Sequence, residues 1–290
     1  LNLDGDGTTT ALDWFGVNFT DCGTVGTIKD YSNFIMADSA FLNSGGLTFD
    51  GTIGTVGFSQ CLFDVNGTNT AFILPSTLTI SRRFRVIYSS FVVTTGQTAL
   101  NVSTSATIPT EGYILDTVNF SGGGTYNSGV QYTDNKALFV NCKGINNSDS
   151  IANYYMINNT TVTNVITVAT PLKVAGTTTA NAINQKFTHT NNRATYTGAI
   201  NRNFKVTATV SVTSASANDQ IGFYVAKNGT VLTESEMYVT TNASARAESV
   251  TIQTLVSLVT NDYIEIWVEN DTDASDVTVT FLNVVIEPLN

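Results

Sequence analysis

Charge is scarce in this chain of 290 residues, of which 12% are Asp, Glu, Lys or Arg, against about 25% in ordinary soluble domains. Uncharged Thr, Ser and Asn must therefore supply most of the polar surface. Basic groups are the scarcest of all: 13 Lys and Arg face 23 Asp and Glu, a net charge of -10. Nucleic-acid affinity rests largely on basic groups meeting phosphates, so that class of partner is excluded. No apolar run approaches the roughly 20 residues that cross a bilayer, and no membrane insertion is expected. Leu1-Asn-Leu-Asp-Gly-Asp-Gly7 lacks both the basic region and the apolar stretch of a signal peptide. The chain does not start with Met, so a processed or shortened product is expected.

Cysteine and histidine are nearly missing too. Cys22, Cys61 and Cys142 are an odd number with no Cys-x-x-Cys spacing, and His189 is the single histidine. Four nitrogen or sulfur ligands for zinc are hard to assemble from that set, and no metal or other cofactor is expected. A Ser-His-Asp or Cys-His nucleophile would have to use His189, which reads instead as a strand residue in Phe187-Thr-His-Thr.

What remains is a β pattern. Apolar residues alternate or run in groups of four to six, rich in β-branched types and punctuated by Gly, Asn, Asp and Ser. Residues 11–157 carry an irregular repeat. Phe19-Thr-Asp-Cys22, Met36-Ala-Asp-Ser39, Phe58-Ser-Gln-Cys61, Ile87-Tyr-Ser-Ser90, Leu115-Asp-Thr-Val118 and Phe139-Val-Asn-Cys142 can be superposed, their last positions 17, 22, 29, 28 and 24 residues apart. Phe41, Phe63, Phe91 and Phe120 follow closely. A constant core at variable spacing is what stacked coils produce, each repeating the same inward positions while insertions bulge from the turns. This predicts a right-handed parallel β-helix over residues 1–157, with all three cysteines in buried ladders.

Residues 158–185 change character and read as a neck. From Ser150 to Asn218 there is no Asp or Glu, while Lys173, Lys186, Arg193, Arg202 and Lys205 fall there. Residues 186–290 then show longer strands. Phe204, Val206, Ala208, Val210 and Val212 lie on one face of a strand, and Asn228-Gly229 supplies the positive φ values of a tight hairpin. An antiparallel jelly-roll sandwich is expected, so the fold class is all-β throughout. Some strands look apolar on both faces, and a sandwich needs only one. Another copy of the chain is the economical cover, which predicts an interface through Leu255, Val259, Tyr263, Trp267, Leu282, Val284 and Ile286.

A β-helix followed by a compact jelly roll resembles virion fibre and spike proteins of tailed bacteriophages. Gly46-Leu-Thr-Phe-Asp-Gly-Thr-Ile-Gly-Thr-Val and Thr79-Ile-Ser-Arg-Arg-Phe-Arg-Val-Ile-Tyr-Ser-Ser-Phe look like their rods. Phe187-Thr-His-Thr-Asn-Asn-Arg-Ala-Thr-Tyr-Thr-Gly, Gln220-Ile-Gly-Phe-Tyr-Val-Ala-Lys-Asn-Gly and Asn261-Asp-Tyr-Ile-Glu-Ile-Trp-Val-Glu-Asn look like their heads, which are similar to the tumour-necrosis-factor and C1q jelly roll. The resemblance implies a homotrimer on a phage tail or head appendage. It also implies contacts to other virion proteins through a region before Leu1, and a tip that meets a host-surface glycan or other receptor. It implies no reaction.

Two other functions stay open. β-Helical spikes include glycan depolymerases, and glycoside hydrolysis asks for two carboxyl groups about 5 to 9.5 Å apart. Most acidic residues before 157 sit in turn contexts such as Phe49-Asp-Gly, where Asp bonds nearby backbone. A capsid decoration protein without a receptor role is the third possibility. Arg82-Arg83-Phe84-Arg85 is the one basic cluster and the weak candidate for meeting an anionic glycan. Asp4-Gly-Asp-Gly lacks the rest of a calcium loop. Glu265, Glu269, Asp271, Asp273 and Asp276 read as a solvated acidic region rather than a cation site.

Overall fold

The computed structural model describes residues 1–67, 69–242 and 246–289. Its described residues are strands and turns, with a single short 3-10 turn at Thr233–Ser235 and no α-helix. Two compact units divide at Ser148 and Asp149.

The first unit is a parallel β-helix. Successive strands go to three sheets in rotation, so that each strand pairs with the one three places later, giving parallel sheets of six, six and five strands. In the second sheet, for example, Ala11–Phe15, Asn33–Ala37, Thr52–Ser59, Thr79–Ile87, Tyr113–Asp116 and Ala137–Val140 lie side by side. Phe19, Phe41, Phe63, Phe91 and Phe120 stack on the third sheet, with ring centroids 4.9, 5.3, 4.6 and 5.1 Å apart. Each such ring pair adds about 0.5–1.5 kcal/mol beyond the burial of its area.

The corner between the second and third sheets explains the sequence repeat. Gly16, Asp38, Gln60, Tyr88, Thr117 and Asn141 all occupy the left-handed region there, with φ between 48° and 65°. The next residue points inward at the bend, where little room is left, and is small: Val17, Ser39, Cys61, Ser89, Val118 and Cys142. The polar ones reach back to the carbonyl two residues earlier. Ser39 Oγ donates to Ala37 O at 2.7 Å, Ser89 Oγ to Ile87 O at 2.8 Å, and Cys61 Sγ to Ser59 O at 3.3 Å. Ser39 and Ser89 also accept the N–H of Val17 and Cys61 from the adjacent coil.

Two members of the predicted repeat belong elsewhere. Ser89, not Ser90, is in register with Cys61. Cys22 sits at the other end of the third sheet, where Asp21 and Asn43 take positive φ and Cys22 N donates to Ser44 Oγ at 3.0 Å. The cause is Phe19, which pairs with Phe41 and carries its neighbours with it. All three cysteines are free thiols. Cys61 and Cys142 are buried, and burial pushes both thiols up, while Cys22 is half-buried.

The second unit is an antiparallel sandwich. One sheet orders Thr179–Ala180, Ala152–Met156, Val277–Pro288, Arg202–Ser214 and Glu248–Leu258. The other centres on Tyr263–Asn270 and Gln220–Lys227. Phe204, Val206, Ala208, Val210 and Val212 are fully buried, and share the core with Ile221, Phe223, Val225, Ile264, Ile266 and Val268. The Asn228-Gly229 hairpin forms as expected, joining Lys227 to Thr230 with φ of 52° and 76°.

The expected boundaries at 157 and 185 differ from this division. Ala152–Met156 is not a last coil but pairs antiparallel with Val277–Pro288. The stretch 158–185 does not run free as a neck within the second unit. Thr163 bridges Val277, Leu172–Lys173 pairs with Tyr263–Asn270, and Thr179–Ala180 pairs with Ala152–Met156. Its one basic residue has a local reason, since Lys173 meets Glu265 together with Arg193 from beyond the stretch.

Candidate functional site

Two adjoining concavities lie on the outer face of the β-helix. The first is a cleft of about 190 Å³ on the second sheet, lined by Ile35, Thr55, Gly57, Arg83, Arg85 and Ile87. Strand alternation puts Arg83, Arg85 and Ile87 on one outward face, opposite Thr55, Gly57 and Ser59 of the neighbouring coil. Gly57 keeps the floor open, because a Cβ there would come within 2.9 Å of Ile35 Cδ1. A register shift between Ile80 and Arg83 separates Arg82 from the other two arginines. Its Nη2 turns back to donate to Ser32 O at 3.1 Å and Asn33 Oδ1 at 3.0 Å. The predicted basic cluster is thus a pair, with the third arginine tying coils together.

The second concavity, of about 660 Å³, opens at the corner just past Ile87. Asn18, Asp38, Gln60, Leu62, Tyr88 and Ser90 line it, drawn from four successive coils. Tyr88 is 62% exposed and holds a left-handed φ of 48°. The equivalent positions carry Gly16, Asp38, Gln60, Thr117 and Asn141, mostly types that tolerate this conformation or make tight turns. A bulky aromatic in strained backbone, with its ring in solvent, points to a role other than folding. Sequence reading counted Tyr88 as a repeat position and missed it. The available clue was that the other coils place no aromatic at that position.

The arrangement suits sugar. A pyranose has an apolar C–H face and a rim of hydroxyls, matched here by an exposed phenol ring and Leu62 beside amides and hydroxyls. Among the described residues lining the two concavities, Asp38 alone carries a carboxylate. Two other aspartates of the β-helix hold turns, while Asp13, Asp64 and Asp116 lie in strands. Asp6 accepts from the Thr9 hydroxyl and from the N–H groups of Thr10, Thr9 and Thr8, which holds its carboxyl far below the usual range. Asp30 accepts from Thr52 N at 2.7 Å. His189 pairs with Thr178 Oγ1 at 2.7 Å, and burial lowers its pKa.

The predicted interface residues of the sandwich separate into three groups. Leu282, Val284 and Ile286 are core residues, correcting the expected assignment. The register between Arg202–Ser214 and Val277–Pro288 shifts at Ser211/Val212, with Thr280 the extra residue. Val277 and Val279 face inward before this bulge, and Leu282, Val284 and Ile286 face inward after it. One apolar face that changes phase had read as two. Tyr263 and Trp267 do lie on the outer face, around a buried charge cluster. Glu265 is 2% exposed and accepts from Arg193 Nη2 at 3.0 Å and Trp267 Nε1 at 3.2 Å, with Lys173 Nζ at 3.3 Å. The Arg193 guanidinium also stacks over the Tyr263 ring, 3.8 Å from its centroid. Leu255 and Val259 are exposed, 60% and 43%, and Phe281 joins them at 45%.

The acidic residues near the C-terminus also disperse. Asp273 caps Ser275 N at 2.7 Å, Asp276 accepts from Val165 N at 3.0 Å, and buried Glu269 accepts from the Tyr224 hydroxyl. Burial raises the Glu269 pKa, opposed by that hydrogen bond. A carboxyl whose folded-state pKa exceeds its unfolded value opposes folding when ionised, and the penalty fades as pH falls through the folded value. Glu269→Gln is therefore expected to raise stability at pH 7, with the gain vanishing near pH 4, as read by urea titrations at both pH values. A loss of stability at pH 7 would contradict this.

No family model matches the chain, and no curated protein matches it. Among solved structures it is similar to vertex protein P5 of phage PRD1, with 14% identity and a TM-score of 0.34 over 49% of this chain and 99% of that one. It is also similar to the enzymatically active domain of tailspike protein 4 of bacteriophage CBA120, with 10% identity and a TM-score of 0.31. That match covers 97% of this chain but 45% of the tailspike domain, so the chain spans under half of its length. Eiger, a tumour necrosis factor of S. frugiperda, matches over 49% of this chain and 94% of its own, with 11% identity and a TM-score of 0.28.

Proposed function

We propose that this chain is a structural protein of a bacteriophage virion, a fibre or spike that attaches to a glycan on the host surface without cleaving it. The observation that carries attachment is Tyr88, an exposed ring in a left-handed corner position, set among Asn18, Asp38, Gln60 and Ser90. The two-part architecture, a parallel β-helix and then an antiparallel sandwich, supports the virion location. Non-catalytic binding is favoured over depolymerisation by the single carboxylate of the lining, since hydrolysis by the usual mechanism needs two.

The reading is tested with labelled protein on bacterial cells. Expected are decoration of the cell surface, its loss after periodate oxidation of surface sugars, and no new reducing ends in the cell polysaccharide. Reducing ends accumulating with time would replace attachment by depolymerisation. Decoration that survives periodate would exclude a glycan receptor. Antibody labelling of whole virions then separates a tail position from a head position.

The working form is proposed to be a homotrimer, supported by exposed Leu255, Val259 and Phe281 on the sandwich. Light scattering is expected to give about 93 kDa, three copies of 31.0 kDa. A monomer mass would remove this proposal and leave the binding surface untouched.

A further inference from the structure

We infer that the arginine cleft makes the attachment site selective for an acidic polysaccharide, with a uronate carboxylate held between Arg83 and Arg85. This rests on the glycan-attachment reading and adds to it the charge of the ligand. Two same-face residues on one strand are about 7 Å apart, and like charges that close repel. In most such cases a neighbouring carboxylate relieves the strain. Here the direct cross-strand neighbours are Thr55 and Gly57 on one side and Ile114 on the other, while Asp116, opposite Ile87 on the same face, accepts from Thr117 Oγ1 at 2.9 Å and makes no ion pair with either arginine.

Most other cations of the chain have protein partners, with Lys143 and Arg202 the exceptions among the described residues. Lys29 meets Asp4 and Asp30, Lys205 meets Glu287, Lys227 meets Asp262, and Lys136 donates to the carbonyls of Thr104 and Ala106. Among the described residues, no ion pair or hydrogen bond engages the guanidinium of Arg83 or Arg85. In a chain of net charge -10, two uncompensated guanidinium groups side by side are conspicuous.

The surroundings define what fits. Guanidinium groups bind carboxylates through paired, charge-assisted hydrogen bonds. Ile35 and Ile87 flank the arginines, and Gly57 leaves the floor clear. That combination accepts a pyranose ring that lays an apolar C–H face on the isoleucines and carries a carboxylate at its edge. The cleft meets the corner concavity at Ile87–Tyr88 and Ser59–Gln60. A polymer with its acidic sugar at the arginines thus continues over Tyr88 with its next residue. Neither a free anion nor an isolated neutral sugar would use both concavities.

The test measures affinity of the full chain for polygalacturonate, a uronate homopolymer, and for neutral dextran. Wild type is expected to bind the uronate polymer at least about tenfold more tightly, one charge-assisted contact being worth that much. The preference should close in about 1 M NaCl, where charges are screened within a few ångströms. The double variant R83Q/R85Q should lose the preference and keep wild-type thermal stability, because it removes two mutually repelling charges, one exposed and one half-buried, that have no partner among the described residues. A preference that persists in R83Q/R85Q overturns the inference, as does equal affinity of wild type for both polymers. Binding without charge preference that is lost in Y88A sinks this inference alone. Failure of wild type to bind either polymer, with undecorated host cells as well, sinks the attachment reading together with it.

Discussion

Gly46→Ala is expected to destabilise the β-helix by more than about 4 kcal/mol, at the extreme of what single substitutions do. A Cβ at Gly46 would lie 1.5 Å from the carbonyl oxygen of Ala71 and 2.7 Å from its Cα. These are backbone atoms of the next coil, so no side chain can move aside. Gly46 is also clamped on both faces: its N–H donates to Thr70 O at 3.2 Å, and its carbonyl accepts from Val25 N at 3.1 Å. Relief therefore requires opening the stack. Gly23→Ala is the control, with nothing within 4 Å of its Cβ position and no positive φ. It should stay within about 0.5 kcal/mol of wild type, as surface changes usually do. Urea unfolding followed through Trp14 separates the two. Equal midpoints for both variants would refute the stacking geometry.

The second large effect belongs to the sandwich. Lys173→Leu with Arg193→Leu should cost about 3–5 kcal/mol, because it leaves a buried carboxylate without its cations. Glu265 is the group abandoned, at 2% exposure with Trp267 Nε1 as its remaining donor. Adding Glu265→Gln should recover most of the loss, since an amide carries no charge to desolvate. Trp267, in contact with Glu265, reports the transition by fluorescence. If the double variant is as stable as wild type, the cluster contributes nothing. If the triple variant is no better than the double, the damage comes from lost packing rather than an unpaired charge.

The β-helix was legible because its information is local and repeated. Inward Phe positions recur coil after coil, and Phe41, Phe63, Phe91 and Phe120 stack where the pattern put them. Alternation alone does not identify the strand partner, however. Ala152–Met156 alternates as a coil strand would, but its partner is Val277–Pro288, with Asn153 Nδ2 bonded to Asn283 Oδ1 at 2.6 Å across 130 residues. Bulges caused the remaining differences. One extra residue at Thr280 turned a single apolar face into two apparent ones, and the irregularity after Ile80 separated Arg82 from Arg83 and Arg85. Tyr88 was hidden for another reason. Its importance shows only when the six corner residues are aligned by their φ angles, because a turn position in a repeat looks dispensable.

The proposed attachment depends on the Tyr88 corner holding a host glycan intact. The direct measurement is a titration of purified host-surface polysaccharide against wild type and Y88A, with polymer mass followed by light scattering in the same samples. Expected are saturable binding by wild type, at least about tenfold weaker binding by Y88A given the usual worth of a stacked aromatic, and an unchanged polymer mass. Equal binding by both proteins, or a polymer that shortens in the presence of wild type, would contradict it.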